Sequence, residues 1–194
     1  LSFLRPYRSL RRNAMSEVSS PKRALLVVDM QVGLFHGPER PYDGERVLAN
    51  INRLIGRAHE ARAPVFAVRH TGPAGSPIAP GTPLTALVPA LAIDTARDTV
   101  FDKTRPSCFA GTRLAEWLRE ASIGEIVIAG MKTQYCVDTA CRAAADHGFR
   151  AVLVTDAHTC MDTPELPAER IVAHHNATLG GPFATLTTTD ACVF

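Results

Sequence analysis

The chain has 194 residues, enough for one domain with a substantial core, and 46% hydrophobic with 21% charged residues is the balance of an ordinary globular protein. A formal net charge of +2 gives no electrostatic case for a nucleic-acid partner, and no apolar run approaches the ~20 residues needed to cross a bilayer, so a membrane is not an expected partner either. Five cysteines, an odd number without paired spacing, do not suggest a disulfide framework and fit a reduced, cytoplasmic setting.

In chain order, residues 1–22 are arginine-rich, lack an acid until Glu17 and read as a flexible N-terminal extension; a transit peptide is the competing reading. One domain is expected over 23–194. Ala24-Leu25-Leu26-Val27-Val28-Asp29 is a continuous apolar run ending in an acid, as expected of a strand covered on both faces. Residues 45–62 place Val47, Leu48, Ile51, Leu54, Ile55 and Ala58 at helical spacing. Pro64 opens a second strand, Val65–Val68, and the Pro/Gly-rich stretch 72–90 reads as a long loop of the kind that often serves function. Thr99–Phe101 is a weak third strand, and Thr112–Leu118 an amphipathic helix with Gly124 as its exit. A fourth strand, Ile126–Ala129, is followed by a helix over 136–147 that Gly148 closes. Ala151–Val154 is a fifth strand, 165–178 the last helix, and Phe183–Leu186 the final strand.

Strands alternating with helices, and apolar strands that do not alternate internally, predict an α/β fold. It is a three-layer, Rossmann-like arrangement in which helices flank both faces of a mostly parallel six-stranded sheet. Such sheets bind ligands beyond the carboxyl ends of their strands. The residues standing there are Asp29 after the first strand, His70 after the second, Lys103 after the third, Cys136 after the fourth and Asp156 after the fifth. An acid, an amine and a thiol therefore converge on one sheet edge. A cysteine opening a helix meets unsatisfied N–H groups and partial positive charge; both favour a thiolate, so a thiol placed there can have a lowered pKa and act as a nucleophile. Each residue also has a plainer reading: Asp29 as a cap, Lys103 as a surface lysine, His70 as a packing histidine and Cys136 as a small core residue. The lone His70 lacks the partners of a zinc or iron site, and Cys136 and Cys141, five apart on one helix, do not form a metal pair. No GxGxxG fingerprint or phosphate-cradling loop is present.

Three segments taken together are specific: ALLVVDMQVGLF at 24–35, FDKTRPSCFAGTRLAEWL at 101–118 and IVIAGMKTQYCVDTACRAAADHGF at 126–149. In this order they resemble the isochorismatase-like cysteine hydrolases, a family that includes nicotinamidases and N-carbamoylsarcosine amidases, from about residue 22 to the last residue. The resemblance implies a catalytic trio of Asp29, Lys103 and Cys136, and a non-proline cis peptide before Lys132. It also implies an oxyanion hole from the Lys132 and Cys136 backbone N–H groups, and a homo-oligomer. It points to hydrolysis of a small-molecule amide or related C–N bond through a thioester, with no metal or organic cofactor. Isochorismatases proper lack the cysteine, which sets aside vinyl-ether hydrolysis as the alternative activity; a non-catalytic binding protein is the other alternative. Nicotinamidases carry an Asp-x-His metal motif where this chain has Val68-Arg69-His70-Thr71, without an aspartate. Gln31, Phe35, Phe109 and Tyr135 are candidates for lining the substrate pocket, and His70 or Arg105 for recognising a carboxylate.

Overall fold

Strand β1, Lys22–Val28, lies at the centre of the sheet, and its residues Ala24 to Val28 are completely buried. The computed structural model describes residues 21–194, so all but the last two residues of the expected extension lie outside it; Lys22 already belongs to β1. Five further strands complete the sheet: β2 (Val65–His70), β3 (Thr99–Lys103), β4 (Ile123–Met131), β5 (Arg150–Thr159) and β6 (Ala184–Thr187). Their order is β3-β2-β1-β4-β5-β6, with every neighbouring pair parallel.

Alternate residues of β1 serve opposite layers. Leu25 and Val27 pack with Val47, Leu48, Ile51, Leu54, Ile55 and Ala58 of helix α2 (Gly44–Glu60), which follows the four-residue helix α1 (Val32–Phe35). Ala24, Leu26 and Val28 pack with Leu114 and Leu118 of α3 (Leu114–Glu120), Ala140, Cys141 and Ala144 of α4 (Asp138–Asp146), and Leu179 of α5 (Ala168–Leu179). Helices on both faces are why the central strands carry no polar alternation. Full burial of one leucine or isoleucine contributes about 1.5–3 kcal/mol. The apolar face of α2 thus outweighs the roughly 0.5–1 kcal/mol that Gly56 costs inside it.

Several boundaries differ from those expected. Gly124 does not end α3; it lies within β4, and the left-handed residue after the helix is Ser122 (φ 56°). β5 is longer than its apolar run because the chain bulges: Ile128 pairs with Leu153, but Gly130 pairs with His158. α5 starts at Ala168, whose N–H donates to Asp162 Oδ1 (2.7 Å), rather than at residue 165. Gly148 closes α4 with φ 86°, as its sequence position suggests.

The sheet order reverses between β1 and β4, which places a crevice beyond their carboxyl ends. Gly130 sits there with φ 123°, and a Cβ on it would lie 2.1 Å from the Val28 carbonyl oxygen. Only glycine lets the two backbones approach this closely. Among the described residues, no helix is long and apolar enough to cross a membrane.

Candidate active site

Asp29 stands one residue past β1 in a left-handed conformation (φ 48°), its N–H donating to the Val68 carbonyl of β2 (3.0 Å). Lys103 closes β3, and its side chain is fully buried. Its ammonium donates to Asp29 Oδ2 at 2.8 Å and lies 3.2 Å from each of three further acceptors, His70 Nδ1, the Arg105 carbonyl and Cys136 Sγ, one more than its three protons can serve at once. Cys136 lies on a π-helical turn, Thr133–Val137, that joins β4 to α4. The Met131–Lys132 peptide before this turn is cis, as the family resemblance implies. A carboxylate oxygen of Asp29, a ring nitrogen of His70 and the Cys136 sulfur lie within 4.8 Å of one another. Of the groups expected at the sheet edge, four therefore meet. Asp156 does not join them; it accepts from the Thr189 N–H (2.8 Å) and hydroxyl (2.9 Å), tying down the C-terminal segment.

The electrostatics of this cluster follow from burial. Burial raises the Asp29 pKa above its ordinary value, and the Lys103 charge opposes the rise. Burial works against the charge on Lys103, but Asp29, by charge and hydrogen bond, leads the influences that keep its pKa raised. The Cys136 thiol is pushed up to about 11 by burial and then by the Asp29 charge. The expected helix-lowered thiol is not found: the cysteine lies inside the π turn, where burial and then the Asp29 charge push its pKa up. At rest the cysteine is held as the thiol, beside the Asp29 carboxyl group. Asp29 Oδ1 is buried with no hydrogen-bond partner among the described residues, so the carboxylate has an acceptor site to spare. Asp29, His70 and Cys136 could converge on a metal ion, but the Lys103 ammonium lies within 3.2 Å of all three and brings a positive charge to the same space.

The turn bearing Cys136 is braced from behind. Thr133 Oγ1 lies 2.9 Å from His158 Nδ1, His158 Nε2 lies 2.9 Å from Asn176 Oδ1, and Asn176 Nδ2 donates to the Thr155 carbonyl (3.2 Å). An amide oxygen only accepts, so Nε2 carries the His158 proton and Nδ1 accepts from the threonine hydroxyl. The histidine is neutral, its pKa lowered by burial from 6.5 to about 4. The folded state thus refuses a proton that the unfolded state binds. Its contribution is fully present above pH 6.5 and declines as pH falls towards 4, by about 3 kcal/mol in all. Melting temperatures of His158→Gln should be lower than wild type at pH 7 but flatter between pH 7 and 4.5. Parallel curves would show that His158 does not carry this dependence.

A cavity of ≈ 330 Å³ opens over the cluster. Lys132, Tyr135 and Cys136 line it from the turn, Asp29 and His70 from the sheet edge. Of the four expected pocket residues, Tyr135 stands at the wall, 54% exposed. Gln31 also borders the cavity, but its amide is committed: Nε2 donates to the His70 (3.0 Å) and Thr85 (3.1 Å) carbonyls, and Oε1 accepts from the His70 N–H (2.7 Å). Phe35 and Phe109 are corrections. Phe35 is buried in the core on the α2 side. Phe109 is buried on the opposite side of the sheet, stacked on His147 and Phe149. Arg105 contributes a backbone carbonyl, and its side chain is not part of the cavity wall. Sequence reasoning missed Gly33, Leu34, Ile78, Leu84 and Pro106, which supply the apolar wall. The one available signal was the long loop 72–90, which carries Ile78 and Leu84.

Comparison with known proteins places this geometry in context. The isochorismatase domain model matches residues 23–191. Streptothricin hydrolase from Streptomyces noursei is 36% identical over 148 residues, covering 76% of this chain but 58% of that protein, so the chain spans little more than half of that relative. Nicotinamidase 3 from Arabidopsis thaliana is 30% identical, with 80% of each chain covered. The crystal structure of a cysteine hydrolase from Pseudomonas syringae pv. phaseolicola superposes with a TM-score of 0.80 at 25% identity, covering 87% of this chain and 89% of that one.

Proposed function

Within the isochorismatase family, to which this chain belongs as a hydrolase, we propose that it hydrolyses a small-molecule amide or related C–N bond by attack of Cys136. The observation that carries this reading is the placement of one buried ammonium, Lys103, 2.8 Å from Asp29 and 3.2 Å from Cys136. A relative that is a nicotinamidase, and a structural neighbour that is a cysteine hydrolase, support it.

In this mechanism Asp29 takes the proton of the Cys136 thiol, and Lys103 balances the thiolate charge that replaces the carboxylate charge. The thiolate adds to the substrate carbonyl carbon, and the backbone N–H groups of Lys132 and Cys136 hold the oxyanion. Asp29 returns its proton to the leaving nitrogen as the C–N bond breaks, leaving a thioester. Water, activated by Asp29, cleaves the thioester and restores the thiol. All of these steps use the chain's own groups. Leu34, Ile78, Leu84 and Pro106 suit the uncharged part of a small substrate. A cytoplasmic homo-oligomer remains part of the proposal on family resemblance.

Incubation with a panel of small primary amides, lactams and carbamoyl compounds, read by ammonia release or ring opening, tests the reaction class; the reading expects at least one to turn over. The proton acceptor has its own signature. Because burial raises the Asp29 pKa, kcat/KM should fall on the acid side with a midpoint above the ordinary 3.8. A midpoint at or below that value would remove Asp29 as the desolvated base.

A further inference from the structure

Lys103 brings three N–H protons to four acceptors: Asp29 Oδ2, His70 Nδ1, the Arg105 carbonyl and Cys136 Sγ. Its side chain is fully buried, so water offers no fifth choice. Asp29 holds one proton through charge at the shortest distance, and the Arg105 carbonyl, fixed in the backbone, takes a second. The third is contested by His70 and Cys136.

We propose that His70 is a positioning residue that holds the third Lys103 proton while Cys136 is a thiol and yields it when the thiolate forms. The proposal rests on the reading of Cys136 as the nucleophile. A thiol sulfur is a weak acceptor and an imidazole nitrogen a better one, so His70 holds the bond at rest; a thiolate is charged and outcompetes it. His70 is built for this place. Gln31 accepts from its backbone N–H (2.7 Å) and donates to its carbonyl (3.0 Å), fixing the main chain at the end of β2. The ring must be neutral to accept, and burial followed by the Lys103 charge lowers its pKa below 6.5. The charged and titratable groups facing it are Lys103 from β3, Asp29 beyond β1 and Cys136 on the π turn.

Removing the imidazole should leave the third Lys103 proton with sulfur alone, favouring the thiolate. The test is the pH dependence of iodoacetamide alkylation of Cys136, followed by peptide mass spectrometry in the intact folded protein. His70→Leu and His70→Ala should each lower the alkylation midpoint by about one pH unit, roughly tenfold more thiolate at a given pH. His70→Asn, which keeps an oxygen acceptor, should stay near wild type. Simple desolvation by leucine would move the midpoint upwards, so the direction separates the two causes. Midpoints unchanged or raised in both truncations would overturn the role of His70. Amide turnover by the wild-type enzyme is read separately, so failure of the hydrolase reading is not confused with failure of this one.

Discussion

Cys136→Ala is expected to abolish turnover of any substrate found in the amide panel. The loss should exceed the 10²–10⁴-fold that one acid–base group supplies, because no other group can form the covalent intermediate. Cys108, Cys141, Cys160 and Cys192 are all buried, and burial raises every one of their pKa values. None of them is placed to replace Cys136. Cys136 is only partly buried, and its truncation removes one sulfur beside the cavity, so the melting temperature should change little. Alkylation with a substrate-like electrophile should label Cys136 first. Labelling of Cys108 or Cys160 instead, with an active Cys136→Ala variant, would overturn the assignment.

Lys103→Met should combine the largest loss of stability with a loss of activity. It leaves the Asp29 carboxylate buried without its counter-charge, a change that typically costs about 3–5 kcal/mol. The variant also has a pH signature. Without Lys103 the folded-state pKa of Asp29 rises further above its unfolded value. The folded state then binds a proton that the unfolded state releases, so stability is retained at low pH and lost as pH rises through the folded pKa. Urea unfolding should therefore show the deficit of Lys103→Met shrinking from pH 8 to pH 5. The double variant Asp29→Asn with Lys103→Met should recover much of the stability while remaining inactive. A deficit independent of pH and unrelieved in the double variant would mean that Lys103 acts by packing rather than charge.

The frame of the site was legible because the central strands are wrapped on both faces. Ala24–Val28, Val65–Val68 and Ile126–Ala129 appear as unbroken apolar runs, and the residues that end them fall at one sheet edge. The apolar run of β5 is shorter than the strand because Thr155 and Asp156 interrupt it at a bulge, where their polar groups bond to Thr187 and Thr189. The π turn has no periodic signature, so the sequence suggested a regular helix start and the wrong direction for the Cys136 pKa. That value depends on burial and on Asp29, more than 100 positions away in the chain. Phe35 and Phe109 could not be told from pocket residues because an aromatic near a motif suits a core equally well. The real wall, Ile78 and Leu84, lies on a loop whose path only tertiary packing sets.

The central claim is that Cys136 carries the acyl group during turnover. Rapid acid quench of enzyme with a turned-over amide, followed by intact and peptide mass spectrometry, reads this directly. A mass increase equal to the substrate's acyl group, localised to Cys136 and absent from Cys136→Ala, is the predicted result. Full turnover in Cys136→Ala, or an acyl group localised to another residue of an active enzyme, would contradict it.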